Sequence, residues 1–134
     1  RSPSRGLGDV YKRQAKNQYY QEGIDLFKKK KFEAAKFKFE QDIVINPKSE
    51  LSYLYLSKIF KKFDKIDLQE RNLNTVILIN PGNEEATFYL AKLKLESSDY
   101  KKSKELNDRL SSFCNKYCSE SQKLKIEIEN LSKK

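Results

Sequence analysis

Two Asn-Pro pairs, Asn46-Pro47 and Asn80-Pro81, stand 34 residues apart, and each closes an aliphatic run, Ile43-Val44-Ile45 and Ile77-Leu78-Ile79. Proline lacks the amide that a helix interior needs, and it drives the preceding residue out of the α region. Each pair therefore ends a helix, and the shared interval says that the ending recurs. A chain that repeats at this period folds as stacked copies of one supersecondary unit.

The same frame aligns Tyr19, Tyr53 and Thr87, then the small residues Gly23, Ser57 and Ala91. Phe32, Ile66 and Tyr100 follow, then Ala35, Gln69 and Ser103, then Phe39, Leu73 and Asn107. A third copy is present but weaker, ending near Phe113-Cys114-Asn115 without its proline. Within a unit, Tyr19, Gly23, Leu26 and Phe27 keep helical spacing, a Lys-rich turn intervenes, and Phe32, Ala35, Phe39 and Ile43 define a second helix. Ser49 and Asn83 stand as N-caps, with Glu50, Glu84 and Glu85 in the first turns that follow. The pattern predicts helices over 16–29, 32–45, 49–62, 65–79, 83–97 and 99–115. Gly23, Ser57 and Ala91 mark where paired helices approach closely, and Phe32, Ile66 and Tyr100 are expected to fill the gap beside that contact.

A small residue at unit position 8, an aromatic or aliphatic at 17, a small one at 20, an apolar one at 24 and proline at 32 resemble the tetratricopeptide-repeat (TPR) motif. The resemblance runs from residue 16 to about 115. It implies an all-α fold, a right-handed α-solenoid of about three helix-turn-helix TPR units plus a C-terminal capping helix. Asp42, Gln69, Asn107 and Asn115 depart from the pattern, and wider gaps between helices are expected there. The expected division is a leader at 1–14, a TPR array at 15–117 (units 16–49, 50–83 and 84–117) and a capping helix at 118–134. The tail opens with Ser119 and Gln122 in a capping-box arrangement and carries one apolar stripe, Leu124, Ile128 and Leu131.

The leader differs in composition from everything after it. Residues 4–14 resemble the in-frame translation of a sequencing adapter, since GTG TAT AAG AGA CAG encodes Val10-Tyr11-Lys12-Arg13-Gln14. The stretch is read as a scar, so the native N-terminus is expected to lie upstream; a natural flexible basic tail is the alternative. Its four cations against one carboxylate supply +3 of the formal charge of +9, leaving a moderate +6. The chain has no His and two Cys, which removes the usual general base and leaves too few ligands for a structural zinc site. No catalytic residue, metal site or cofactor is expected. On one helix Cys114 and Cys118 would be four residues apart, a poor disulfide geometry, so two reduced thiols of a reducing, cytoplasmic compartment are expected. A redox pair in a secreted protein is the alternative. No run is long and apolar enough to span a bilayer.

TPR units stack with their first helices toward a concave face, so the resemblance implies a groove. In this frame it is lined by Tyr20, Ile24, Leu51, Leu54, Tyr55, Lys58, Lys62, Phe88, Tyr89 and Lys92, with Asn17, Gln21, Phe27, Lys28, Lys61, Glu85, Leu95 and Glu96 at the remaining inward positions. Tyr55 and Tyr89 are one repeat apart, as are Lys58 and Lys92. Such a ladder of rings and ammonium groups suits a protein or peptide partner with acidic side chains or a terminal carboxylate. Alternatively the tyrosines pad contacts between repeats and the lysines solvate the surface. Family members that clasp chaperone tails use Lys and Asn where this chain has Tyr20, Ile24, Tyr55, Glu85 and Tyr89, so that clamp is not expected. Lys28 to Lys31 reads as a solvated turn, and nucleic acid is disfavoured by the modest net charge. The expected function is a non-catalytic interaction scaffold. Alternatives are the TPR portion of a larger enzyme, by analogy with bacterial chains that join such repeats to transferases, or an envelope assembly factor whose N-terminal part is missing.

Overall fold

The computed structural model describes residues 18–133; the expected leader and Asn17 lie outside the described residues. Seven helices and no strand are present there: α1 (18–28), α2 (Phe32–Ile45), α3 (Glu50–Lys62), α4 (Ile66–Ile79), α5 (Glu84–Glu96), α6 (Tyr100–Phe113) and α7 (Cys118–Ser132). Neighbouring helices pack in chain order, and α7 lies against both α6 and α5. The fold is an all-α solenoid of helical hairpins closed by one further helix, as the repeat implies.

The hairpin turns share a device that the sequence does not advertise. Lys30, Asp64 and Ser98, each 34 residues from the next, adopt the left-handed conformation at φ 63°, 57° and 64°. Around each, paired amides reach back over the helix end: Lys31 N–H donates to the Leu26 carbonyl, Lys65 N–H to Phe60 and Asp99 N–H to Lys94. This is a Schellman ending, usually built on glycine, made here from three other residues.

Close approach explains the small residues. A Cβ on Gly23 would come within 2.8 Å of the Phe39 ring, so only glycine admits that ring between α1 and α2. Ser57 folds its hydroxyl onto the Leu54 carbonyl at 2.6 Å, and Ser103 Oγ donates to the Ala91 carbonyl at 2.7 Å. Two apolar clusters result. Ala35, Phe39, Leu56, Ile59 and Phe60 form one, with rings of α1 and α2 against it. The other runs from Leu54, Leu73 and Val76 through Leu90 and Leu93 to Leu124 and Ile128 of α7. The tail stripe thus covers the end of the array.

Several expectations need correction. Asp42 does not leave a gap: it is 1% exposed and accepts hydrogen bonds from Ser49 Oγ and Ser52 Oγ, both at 2.6 Å. Ser49 is therefore an N-cap by position only, its hydroxyl spent on Asp42, whereas Asn83 caps α5 through the Ala86 N–H. Asn107 fills its site by exchanging hydrogen bonds with Ser121. The expected Ser119–Gln122 capping box does not form, because α7 starts at Cys118 with Tyr117 as its N-cap and no side-chain cap bond. Gln69, by contrast, is buried beside open space, in keeping with the wider gap expected there. Ile66 is 53% exposed and does not fill the space that Phe32 fills against Phe27. The sixth helix ends at Phe113, two residues earlier than expected.

Candidate functional site

The first helices of the three units meet at one hollow of about 470 Å³, lined by Phe27, Ser57, Lys58, Lys61, Lys62, Gln69 and Tyr89. Phe27 comes from α1, the lysines from the last turns of α3, and Tyr89 from α5. Helical periodicity places Lys58, Lys61 and Lys62 on one face. Gln69 reaches the hollow from α4, at a position outside the inward-facing set but where a wider gap between helices is expected. Phe27 and Lys61 were inward positions outside the proposed groove set.

The expected ladder does not form as equal rungs. Tyr55 stacks on Phe39 with centroids 4.9 Å apart and planes 5° from parallel, and it meets Phe27 and Tyr20 edge-on at 5.1 and 6.3 Å. It is a partner of the first core cluster, along with Ile24 and Tyr20. Burial raises the Tyr20 hydroxyl above its ordinary pKa, with Tyr55 and Asp42 adding to the effect. Tyr89 instead touches Phe88 edge-on at 5.4 Å and lies under the Lys61 ammonium at 5.7 Å. Leu54 is 4% exposed and belongs to the core, while Leu51 is half-exposed.

The lysines also divide. Lys58 is bound to Glu85 at 2.7 Å and lies 5.2 Å over the Tyr55 ring, so its charge is already matched. Lys62 sits over Phe32 at 5.1 Å and Lys92 over Phe88 at 5.7 Å. Neither these two nor Lys61 has a carboxylate partner among the described residues. A cation parked on a ring face keeps its charge available to an incoming anion. The hollow is therefore an apolar floor with ammonium groups at its rim.

No family model matches the chain, and no curated protein matches it in sequence. Solved structures do match. The TPR2B domain of yeast Sti1, solved as a pHsp70 complex, superposes with a TM-score of 0.80 at 15% identity, over 88% of this chain and 98% of that one. The Yersinia enterocolitica type III secretion chaperone SycD, in complex with a peptide of the translocator YopD, gives 0.76 at 16% identity, over 88% and 94%. The first TPR of Spaghetti (RPAP3), bound to an HSP90 peptide, gives 0.73 at 14% identity, over 87% and 94%. The chain has the TPR fold.

At the third unit the α6–α7 turn meets α5. Tyr117 tilts over Phe88 with centroids 5.4 Å apart. Its hydroxyl is pushed up to about 12, first by burial and then by Glu85, Tyr89, Glu120 and Glu84. The Glu84 carboxylate oxygen Oε1 accepts the backbone N–H groups of Asn115, Lys116 and Tyr117, each at 2.9 Å. Those bonds, led by Tyr117, hold the Glu84 carboxyl below its ordinary pKa. The expectation of two reduced thiols is overturned here: Cys114 and Cys118 form a disulfide, with Cα atoms 5.4 Å apart. They do not share a helix, since Cys114 is extended beyond the end of α6 and Cys118 begins α7. The thiols no longer speak for a reducing compartment. Among the described residues, no three His, Cys, Asp or Glu side chains gather as a metal site, and no helix is long and apolar enough to cross a membrane.

Proposed function

We propose that this chain is a non-catalytic interaction scaffold that takes an extended or helical peptide segment of a partner protein across its concave face. The observation that carries the reading is the convergence of Phe27, Lys61, Lys62 and Tyr89 from three first helices on one hollow. Rings supply contact area at little entropic cost, and Lys61, Lys62 and Lys92 favour a segment with acidic side chains. Peptide complexes of structures that share this fold support the reading at the level of fold, not of partner. A chaperone-tail clamp is not proposed, because Tyr20, Ile24, Tyr55, Glu85 and Tyr89 stand where that clamp needs Lys, Asn and further basic residues.

The test is an array of extended peptides, acidic sequences beside their amide-substituted counterparts, probed with wild type and variants. Tyr89→Ala and the double change Lys61→Ala, Lys62→Ala are expected to keep the fold and lose acidic peptides. Equal capture by wild type and these folded variants would sink the groove reading. Tyr55→Ala is the contrast: its stacking on Phe39 makes it a packing residue, and it is expected to lower stability by about 2–4 kcal/mol.

A further inference from the structure

The Asn-Pro register holds in the first two units and is lost in the third, where Cys114 stands in the place of Asn80 and Asn115 in the place of Pro81. A proline ring fixes φ at a turn. Here the Cys114–Cys118 disulfide closes the turn instead, across Asn115, Lys116 and Tyr117. Those three residues converge their amides on Glu84 Oε1, and the last of them lays its ring on Phe88. Consecutive amides point at one anion only while the backbone is held in a tight turn. One crosslink thus spans the turn that carries both the carboxylate clasp and the ring on Phe88. Cys118 is exposed and Cys114 half-buried, so a thiolate from solvent has access to the bond.

We propose that Cys114–Cys118 is a redox-active site, opened by a soluble dithiol reductant, and that its state sets whether the groove ends at Phe88 or runs past it. This rests on the groove reading above. A thiolate of the reductant attacks Sγ of Cys118, forming a mixed disulfide, and Cys114 leaves as a thiolate that takes up a proton. The reductant's second thiolate then attacks its own sulfur in the mixed disulfide, and Cys118 leaves and is protonated in turn. The protein disulfide gains two electrons and two protons, and the dithiol becomes a cyclic disulfide. The freed turn has neither proline nor crosslink, so its amides leave Glu84 and Tyr117 lifts from Phe88. A reducing compartment keeps the groove end open, and an oxidising one keeps it covered.

Amide hydrogen exchange followed by NMR on the full chain, with and without dithiothreitol, tests this, with mass spectrometry counting the two hydrogens gained. On reduction, exchange at Asn115, Lys116 and Tyr117 is expected to speed up about tenfold or more. Phe88 ring signals should shift, while amides of α3 and α4 keep their rates. The Cys114→Ser, Cys118→Ser double variant should reproduce the reduced pattern. Unchanged exchange at 115–117 in the fully reduced protein overturns the proposal, as does a chain that stays a dithiol in air. Uniform acceleration in every helix also overturns it, because the bond would then secure the whole fold and not one turn. No peptide enters the measurement, so failure of the groove reading would leave this result standing.

Discussion

Glu50 and Glu84 stand 34 residues apart and make the same contact: each carboxylate, in the first residue of a unit's first helix, accepts hydrogen bonds from the turn that opens the next unit. Glu50 Oε2 takes Asn80 Nδ2 at 2.8 Å and Asn83 Nδ2 at 2.6 Å. Glu84 Oε1 takes three backbone amides at 2.9 Å. The side-chain donors of one turn are replaced by main-chain donors in the other, where the Asn-Pro pair is gone.

The Glu84 clasp has a pH dependence of definite sign. Its folded pKa is lowered, chiefly by the Tyr117 amide, from the ordinary 4.5. Its stabilisation is therefore complete above the ordinary carboxylate range and is lost as pH falls through the lowered value. Glu84→Gln should melt below wild type near neutrality, with the two curves converging as pH falls below the ordinary carboxylate range. Parallel melting differences across that range would contradict the assignment.

Asp42 departs from the repeat pattern, and two serines make it fit. Asp42→Ala alone strands the buried Ser52 hydroxyl and should cost about 1–3 kcal/mol. Adding Ser49→Ala and Ser52→Ala should recover most of that loss. Chemical denaturation of the single and triple variants measures both, and an additive triple variant would refute the coupling.

Gly23→Ala would raise helix propensity at an interior position, a gain of about 1 kcal/mol in open space. Here the new Cβ meets the Phe39 ring at 2.8 Å, so the substitution should instead destabilise by about 1–3 kcal/mol. In a Phe39→Leu background the penalty should shrink or reverse, which a double-mutant cycle reads directly.

The three left-handed residues offer a graded test. Lys30→Gly and Ser98→Gly should each stabilise by up to about 1 kcal/mol, since glycine occupies that region without the Cβ penalty. Asp64→Gly should gain less, because aspartate tolerates the conformation better. Equal effects at all three sites, read from melting temperatures, would argue against backbone strain as the cause.

The hairpin architecture was legible in the chain because it follows from local chemistry at a fixed interval. Proline ends helices wherever it falls, and the Gly23, Ser57 and Ala91 series is visible in any alignment of the chain with itself. The groove was only half legible. Inward register located Tyr55, Lys58 and Tyr89, but register does not say what a side chain already touches. Tyr55 was drawn into the core by Phe39, a ring admitted through Gly23. Lys58 was claimed by Glu85 across α3 and α5. The polar departures misled for the same reason: Asp42 and Asn107 looked like misfits because Ser52 and Ser121, which satisfy them, are 10 and 14 residues away.

By itself the sequence determined the repeat, its period and the number of helices, since backbone preference and helical periodicity act over a few residues at a time. Only the tertiary structure decided which cations remain without a carboxylate partner, which polar groups pair in the interior, and that Cys114 and Cys118 meet across a turn. Those outcomes depend on distances between side chains from different helices, and packing sets them only when the units stack.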